Sequence, residues 1–256
     1  MISVNNLPPV FSIITVTRNA GKVLECTILS VLNQSYPMIE YIIVDGNSSD
    51  NTKEIIEQYA SGLASRVSEP DAGLYDAMNK GLRMATGDYV WFLNAGDVLP
   101  HSNTVKDLAA VAVQNGMPDI LYGETDLIDI NGKIIAARRL KAPRHLTWKS
   151  FRMGMLVCHQ AFAVKRDIAP EYNLQYRFSS DFDWCIRCMK KAKTIVNSRI
   201  CPVNYLYEGL TTANRKASLK ERYRIMCRYY GTFVTVILHG WFAVRFYWAK
   251  GTGKIV

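Results

Sequence analysis

The feature that most constrains the fold of this 256-residue chain is an alternation of strand-like and helix-like segments over residues 10–100. Residues 10–17 and 40–45 are apolar and rich in β-branched side chains, which predicts buried strands. Further short strands are predicted at 66–68 and 88–93, with helical periodicity between the strands. The resulting β-α-β-α-β-α-β order predicts an α/β fold, in which a Rossmann-like, mostly parallel sheet is flanked by helices.

Polar residues follow each predicted strand of this first half. They occupy positions 17–19, 45–46, 69–73 and 94–97. In an open parallel sheet, ligands bind beyond the carboxyl ends of the strands. We therefore expect the functional site at this edge of the sheet.

A helix predicted over 75–85 follows an acidic, glycine-containing turn, Asp71–Gly73. One face of this helix, at i, i+3, i+4 and i+7 spacing, is formed by Asp76, Asn79, Lys80 and Arg83. This face is either a solvated surface with an Asp76–Lys80 ion pair or a surface presented to a nucleotide, with Lys80 near phosphate. The adjoining turn favours the second interpretation.

Several single residues have both a structural and a chemical interpretation. Asp45 ends a strand before a glycine, so it either accepts hydrogen bonds from a ligand or caps the next helix. Asp97 follows a buried strand, where it either holds a hard cation on a pyrophosphate or forms part of a turn. Asp181 and Asp183 begin a predicted helix, where one is a candidate general base and simple capping is the alternative. His159, in a predicted apolar strand, is first interpreted as a core histidine.

Residues 101–210 are less regular. A hairpin turn is predicted at Asn131-Gly132, which separates two apolar-rich runs. A helix is predicted over 181–190, with Ser179 or Ser180 as its cap. Strands are predicted at 119–122, 157–164, near 195–199 and at 203–207.

The net charge of +9 is concentrated near one end of the sequence. Residues 211–256 contain nine Lys or Arg and one Glu, so they carry +8 of it. A basic helix is predicted after Asn214, and the uncharged, aromatic-rich stretch 229–244 is too short to span a bilayer comfortably. A basic, aromatic and apolar segment suits a helix that lies on an anionic membrane surface. The alternative is a C-terminal helix docked on the body, and we favour the membrane surface.

The beginning of the sequence lacks a secretory signal pattern, because residues 1–9 have no basic region and Pro8-Pro9 interrupt any apolar run. The six cysteines are accordingly expected to be reduced thiols. Together with segment 211–256, this predicts a cytoplasmic location, peripheral at the inner face of the cell membrane.

Over residues 10–210 the sequence resembles glycosyltransferase family 2, the inverting enzymes with the GT-A fold. It is most similar to the colanic-acid-type members that build bacterial surface polysaccharides. The matching segments are Ser12–Asn19, Ile43–Gly46 with Ser49-Asp50, Ser68–Gly81, Phe92–Asp97, His159–Ala161 and Ser180-Asp181. The segment Ser68–Gly81 is highly specific, and the others are individually weak.

The resemblance implies a set of donor-binding residues, which comprises Thr15, Arg18, Asp45, Asp71, Lys80 and Asn94. The first three would hold the base and ribose, with Asp45 on the base edge. Asp71 and Lys80 would lie along the nucleotide.

The resemblance also implies that Asp97 binds a divalent cation, Mn²⁺ or Mg²⁺, on the diphosphate. Asp181 would be the general base that deprotonates the acceptor, and Asp183 is its rival. Many family members carry two acids in a D-x-D pattern where this chain has Asn94-Ala-Gly-Asp97 with one acid. This departure makes His159 a candidate further ligand.

The function implied by the resemblance is the transfer of a sugar from a nucleotide-sugar, with UDP favoured over GDP, to a hydroxyl of a lipid-linked saccharide in cell-surface polysaccharide synthesis. Residues 10–100 would be the nucleotide-binding half of a domain spanning 1–210, residues 101–210 its acceptor-binding half, and 211–256 a basic helical tail. The alternative is a non-catalytic or nucleic-acid-binding protein that uses this tail. Nucleic acid is disfavoured as a partner because the body is nearly neutral and its polar residues converge on acids. A dinucleotide enzyme is disfavoured because no G-x-G-x-x-G follows the first strand.

Overall fold

The computed structural model describes residues 8–207 and 214–251, which form an α/β fold built on a seven-stranded sheet. The strands of the protein are β1 (Phe11–Thr17), β2 (Ile39–Asp45), β3 (Ser65–Ser68), β4 (Tyr89–Phe92), β5 (Ile120–Tyr122), β6 (Thr125–Ile128), β7 (Ile134–Ala137), β8 (Phe162–Lys165), β9 (Ile195–Asn197) and β10 (Val203–Leu206). The large sheet has the order β3-β2-β1-β4-β8-β5-β9. Only β8 runs antiparallel to its neighbours, so the predicted mostly parallel sheet is confirmed.

A second, three-stranded sheet has the order β10-β6-β7. Strands β6 and β7 pair antiparallel, as the hairpin prediction at Asn131-Gly132 requires. Asp129 stabilises the connection, because its Oδ1 accepts hydrogen bonds from the backbone N–H groups of Asn131 and Lys133. A bridge between Val98 and Asn204 joins this sheet to the segment that follows β4.

The described residues also form α-helices. Their bounds are α1 (Leu24–Leu32), α2 (Thr52–Gln58), α3 (Leu74–Met84), α4 (Thr104–Gln114), α5 (Ser180–Lys191), α6 (Arg215–Tyr230) and α7 (Thr232–Gly251). Helix α3 lies against β1 and β2. Its approach depends on Gly81, because a Cβ there would meet Ile14 Cγ2 at 2.4 Å. Helix α4 is an addition to the predicted helices, and Val105, Leu108 and Ala112 give its buried face helical spacing.

The strand predicted over 157–164 begins later than expected. Residues His159–Ala161 form a 3₁₀ turn, and β8 starts at Phe162. The turn is held by the indole N–H of Trp91, which donates to the carbonyl of Gln160 at 2.6 Å. Since β8 is antiparallel to β4, its first residues lie at the same edge as the carboxyl end of β4. This correction moves His159 from a strand interior to the expected functional edge.

Helix α6 packs on the body. It buries Ile225 and Met226, and its Tyr229 and Tyr230 hydroxyls donate to Asp183 Oδ1 (2.8 Å) and to the carbonyl of Trp148 (2.7 Å). The helical character predicted for 211–256 therefore holds over α6 and α7, and α6 is docked as in the alternative interpretation. Positions 211–213 and 252–256 of that prediction lie outside the described residues.

Helix α7 differs from α6 because it leaves a stripe of apolar side chains in solvent. Its exposed members at helical spacing are Phe233, Ile237, Trp241 and Val244. Phe233 alone is 79% exposed. Among the described residues, no helix combines the length and hydropathy that crossing a bilayer requires.

Candidate functional site

A cleft of about 920 Å³ lies at the predicted edge of the sheet. It opens between the carboxyl ends of β1 and β4, where the strand order changes direction, and such switch points are the usual ligand sites of open α/β sheets. Segments from both halves of the chain line it. They include Val16–Arg18, Gly73–Tyr75, Asn94-Ala95 with Asp97, Cys158–Gln160, Arg177-Phe178, Asp181, Tyr205–Tyr207 and Arg222.

At the end of β1, Arg18 and Thr17 line the cleft, whereas Thr15 lies deeper. The Thr15 hydroxyl is fully buried and lies 3.1 Å from the Tyr41 hydroxyl. The Thr17 hydroxyl is buried without a hydrogen-bond partner among the described residues. Thr17, two residues along the same strand face, is therefore better placed than Thr15 to meet a ligand.

Asp45 is fully buried and does not line the cleft. Its Oδ2 accepts hydrogen bonds from the Ser48 backbone N–H (3.0 Å) and the Ser68 hydroxyl (2.6 Å), and its Oδ1 accepts from the Ser48 hydroxyl. This arrangement ties the turn after β2 to the end of β3. The predicted contacts of Thr15 and Asp45 with the base stay predictions.

Asp71 lines the cleft in the loop between β3 and α3. Its carboxylate lies against Gly46, where a Cβ would stand 2.1 Å from Asp71 Oδ2. The glycine after β2 thus leaves room for an acidic side chain. Asp71 Oδ1 also accepts a hydrogen bond from the Gly73 N–H at 2.9 Å, which fixes the loop.

Lys80 does not line the cleft. Its ammonium donates to the carbonyl of Pro70 at 2.7 Å and pairs with Glu69 at 2.9 Å, so it supports the 69–73 loop. Asp76 Oδ2 lies 3.9 Å from the same ammonium, which is the ion pair of the first interpretation, whereas the other two members of the predicted polar face have separate partners. Asn79 is buried on the backbone of Tyr172, and Arg83 pairs with Glu171 at the surface. The face predicted for α3 is therefore not a single nucleotide-binding surface in this structure.

Asp97 and Asn94 form the polar end of β4. Asp97 is 2% exposed and accepts hydrogen bonds from Gln160 Nε2 (3.1 Å) and the Leu206 N–H (3.0 Å). Burial raises the pKa of its carboxyl to about 7, because desolvation penalises the charged form more than these hydrogen bonds stabilise it. Asn94 Oδ1 is buried without a partner among the described residues.

These two side chains offer oxygen ligands of the kind that Mg²⁺ and Mn²⁺ prefer. Within residues 8–207 and 214–251, no three Asp, Glu, His or Cys side chains group closely enough to hold a metal ion by themselves. Asp97 and the unpartnered Asn94 oxygen therefore fit a cation only as a partial ligand set that phosphate oxygens would complete. His159 also lines the cleft, and its Nε2 has no partner in the described part of the chain.

Asp181 lies at the start of α5 and faces the cleft beside Tyr75 and His159. The Tyr75 hydroxyl donates to Asp181 Oδ1 at 3.1 Å, and His159 Nδ1 lies 3.6 Å from Oδ2. Burial raises the pKa of Tyr75 well above its usual range, so its proton remains available to Asp181. Burial lowers the pKa of His159, which favours the neutral ring.

Asp183, two residues further on, has a different environment. It is 1% exposed, pairs with Arg187 at 2.7 Å and accepts a hydrogen bond from Tyr229. It does not line the cleft and instead joins α5 to α6. Of the two candidate bases, only Asp181 is positioned to meet a substrate.

Several residues that line the cleft were not among the predicted site residues. Tyr75 and Gln160 lie inside segments that resemble the family, but the resemblance implies no role for either residue. Arg177 and Arg222 lie in loop and helix contexts that give a single sequence no signal for a site.

The fold and the cleft define the class of protein, namely an α/β protein with a large cleft at the carboxyl edge of a mostly parallel sheet. The family model "Glycosyl transferase family 2" matches residues 12–172. A PGL/p-HBAD biosynthesis glycosyltransferase of Mycobacterium tuberculosis is 35% identical over 190 residues, covering 70% of each chain. The chain therefore belongs to glycosyl transferase family 2, and the predicted transferase enzyme is confirmed.

Solved structures show the same fold. The structure of Staphylococcus aureus TarS 1-349 in complex with UDP-GlcNAc superposes with a TM-score of 0.67 at 20% identity, covering 85% of this chain and 64% of that one. The mannosyltransferase PcManGT from Pyrobaculum calidifontis, in complex with GDP-Man and Mn²⁺, gives a TM-score of 0.62 at 17% identity, covering 87% and 64%. The chain thus spans less than two thirds of the length of either protein. The predicted GT-A fold is confirmed, and the colanic-acid type stays a prediction.

Proposed function

We propose that this protein is an inverting glycosyltransferase that moves a sugar from a UDP-sugar to a hydroxyl of a lipid-linked saccharide in cell-surface polysaccharide synthesis. The observation that carries the proposal is the placement of Asp181 in the same cleft as Asp97 and Asn94. A candidate proton acceptor thus shares one cavity with candidate ligands for a diphosphate-bound cation. Family membership supplies the reaction class.

In the proposed mechanism, Asp181 accepts the proton of the acceptor hydroxyl while that oxygen attacks the anomeric carbon. The bond between the anomeric carbon and the diphosphate oxygen breaks, and the nucleoside diphosphate leaves with the bonding electrons. Attack opposite to the leaving group inverts the anomeric centre. Tyr75 holds the Asp181 carboxylate through its hydrogen bond at Oδ1.

Asp97 and Asn94 would hold a divalent cation, which neutralises the negative charge on the leaving diphosphate when it is bound. The Mn²⁺ in the PcManGT complex supports this part of the proposal. The UDP-GlcNAc in the TarS complex supports UDP over GDP, and the GDP-Man in the PcManGT complex makes a GDP-sugar the alternative donor.

We further propose that α7 lies on the anionic inner face of the cell membrane. Its exposed apolar stripe is continuous in the chain with α6, which leaves the basic residues Lys216, Lys220, Arg224 and Arg228 in solvent. An apolar stripe next to exposed basic residues is the composition of an interfacial helix. A cytoplasmic, membrane-peripheral enzyme would then meet a lipid-linked acceptor without leaving the surface.

Thermal unfolding with UDP, GDP, CMP and ADP, each with and without Mn²⁺, tests the donor and the cation together. Ligand at tens of times its Kd should stabilise the protein by roughly 2 kcal/mol. We expect a Mn²⁺-dependent increase in Tm for UDP that Asp97→Ala abolishes. Asp107→Ala is the control, because it removes an exposed acid of α4. The increase in Tm with UDP and Mn²⁺ should persist in this variant. Absence of any nucleotide effect on the wild type would contradict the proposal.

A further inference from the structure

We propose that Arg177 and Arg222 form an anion subsite beside Asp181, which binds a phosphate or carboxylate group carried by the acceptor. The inference rests on the proposed function, because it assigns the acceptor to the Asp181 side of the cleft. Both arginines line that cleft. Arg222 comes from α6, and Arg177 precedes α5.

The two arginines are fixed relative to each other by the glutamate that precedes one of them. Glu221 accepts hydrogen bonds from the backbone N–H groups of Arg177 (2.9 Å) and Phe178 (2.8 Å). Its carboxylate therefore anchors the loop before α5 to α6. The contact places Arg222, the next residue of α6, at the same wall of the cleft as Arg177.

Neither guanidinium is neutralised by a carboxylate within residues 8–207 and 214–251. Arg222 Nε is buried and has no hydrogen-bond partner among these residues. A buried, unpartnered donor on a cation costs free energy unless a ligand satisfies it. Arg138, which also lines the cleft, differs because its guanidinium donates to the carbonyls of Leu140, Met155 and Leu156.

Aromatic rings hold both guanidinium groups. Arg222 Cζ lies 5.9 Å from the centroid of the Phe182 ring, and Arg177 Cζ lies 5.7 Å from that of Phe178. Contact with a ring face leaves the N–H edge of a guanidinium available for bidentate hydrogen bonds. Phosphate and carboxylate groups match this edge in geometry and charge.

The position of the pair favours the acceptor over the donor diphosphate. Phe182, which Arg222 contacts, directly follows Asp181, whereas the candidate cation ligands lie at the end of β4. Arg222 is also close enough to Tyr75, the hydrogen-bond donor to Asp181, to lower its pKa against the stronger effect of burial. An acceptor whose hydroxyl reaches Asp181 therefore brings its neighbouring groups to these arginines.

The test measures anion binding after the donor site has been filled. Wild-type protein saturated with UDP and Mn²⁺ is titrated with inorganic phosphate, with glucuronate and with neutral glucose at constant ionic strength, and Tm is recorded. We expect phosphate or glucuronate, and not glucose, to raise Tm further. Arg177→Gln and Arg222→Gln should each lower the affinity for that anion at least about tenfold, since each removes a charge-assisted contact.

Arg224→Gln is the matched control, because it removes the same charge from an exposed position on the same helix. Arg224→Gln should leave anion affinity unchanged. Arg222→Lys should retain part of the affinity that Arg222→Gln loses. A response to phosphate alone assigns a phosphate-linked acceptor, and a response to glucuronate alone assigns an acidic sugar.

Equal anion affinity in wild type and both glutamine variants, or no anion binding to the wild type, would overturn the inference. Loss of UDP binding in the variants would instead assign the arginines to the donor and equally overturn it. If the wild type binds no nucleotide, the titration is made without UDP, and an anion response that both glutamine variants lose would retain the subsite and contradict the proposed function.

Discussion

The two walls of the cleft are built by different means. On the β1–β4 side, Arg18 directly follows β1 and Asn94 lies two residues beyond β4, so the register of these adjacent parallel strands sets their positions. On the opposite side, Asp181 is held by contacts between distant parts of the chain, such as its hydrogen bond from Tyr75, 106 residues away.

The first wall therefore depends on backbone hydrogen bonding, and the second depends on individual side chains. Single substitutions on the acceptor side should therefore separate chemistry, stability and positioning more cleanly than substitutions on the strand side. The substitutions below test this difference between the two walls.

The largest effect is expected for Asp181→Ala, which removes the proposed base. Loss of a general base typically costs about 10²–10⁴-fold in rate, so kcat should fall by that factor. Because Asp181 belongs to the acceptor wall, the Tm increase with UDP and Mn²⁺ should remain. Turnover of a UDP-sugar with a lipid-linked acceptor, measured as UDP release, checks the first effect. Full activity in this variant would exclude Asp181 as the base.

Asp97→Asn tests the buried acid at the end of the strand wall in protein free of divalent cations. The folded-state pKa of about 7 lies above the usual aspartate pKa of 3.8, so folding favours the protonated acid and wild-type stability falls as pH rises between these values. At about pH 8 the variant should be more stable by roughly 2–4 kcal/mol, and near pH 4 the difference should vanish.

Thermal unfolding across this pH range measures the effect, with Asp107→Asn as an exposed-acid control. The same variant should lose the Mn²⁺-dependent response to UDP. A stability difference that does not change with pH would show that Asp97 titrates normally.

Asp183→Ala is expected to lower stability and leave kcat nearly unchanged, whereas Asp181→Ala is expected to lower kcat. The two residues nevertheless share one turn of α5. Asp183→Ala leaves the Tyr229 hydroxyl and the Arg187 guanidinium without their buried acceptor. Because Arg187 is partly exposed, the expected cost is about 2–3 kcal/mol of unfolding free energy, at the low end for a broken buried pair. Below its Tm, kcat should stay within a few-fold of the wild type. Denaturant unfolding measures the stability, and a loss of kcat as large as that for Asp181→Ala would contradict the structural role.

Tyr75→Phe tests the positioning of Asp181 by a single hydrogen bond. Loss of a hydrogen bond worth about 1 kcal/mol should lower kcat by roughly fivefold to tenfold, with the KM for the donor unchanged. Tyr172→Phe is the control, because the Tyr172 ring stacks on Tyr75 and its buried hydroxyl has no partner in the described part of the chain. Equal effects of the two substitutions would indicate that ring packing, and not the hydrogen bond, positions Asp181.

The smallest effect on the isolated protein is expected from the double substitution Phe233→Ser and Trp241→Ser on α7. Both side chains are more than half exposed, so Tm and nucleotide binding should barely change. Flotation with anionic vesicles should show a loss of membrane association of about tenfold or more, because two large apolar side chains no longer enter the interface. Leu219→Ser, at an exposed apolar position on α6, is the control. Unchanged flotation would refute the membrane role of α7.

The sequence predicted the first half of the fold closely because its signals are local. The apolar run of β1 and the helical spacing of Leu24, Ile28 and Val31 in α1 are readable within a few residues. The carboxyl-edge rule then placed Arg18, Asp71, Asn94 and Asp97 at one cleft.

Less could be predicted where a role depends on remote partners. Lys80 has the same kind of polar signal in the sequence as the residues that line the cleft, but in the structure its ammonium is held by Glu69 and Pro70. The local sequence predicts a strand at His159, whereas the structure has a 3₁₀ turn there. Nothing near His159 in the sequence indicates the hydrogen bond from Trp91 that shapes this turn.

What the sequence determined by itself was the α/β class, the family resemblance and the edge of the sheet that carries polar residues. These properties follow from periodicity and short motifs, which are encoded within a single segment. The tertiary structure decided between Asp181 and Asp183 as the residue facing the cleft, docked α6 on the body, and brought Arg177 and Arg222 beside Tyr75 and Asp181. The physical reason is that burial and hydrogen-bond partners depend on side chains tens to a hundred residues apart, and only the packed chain brings them together.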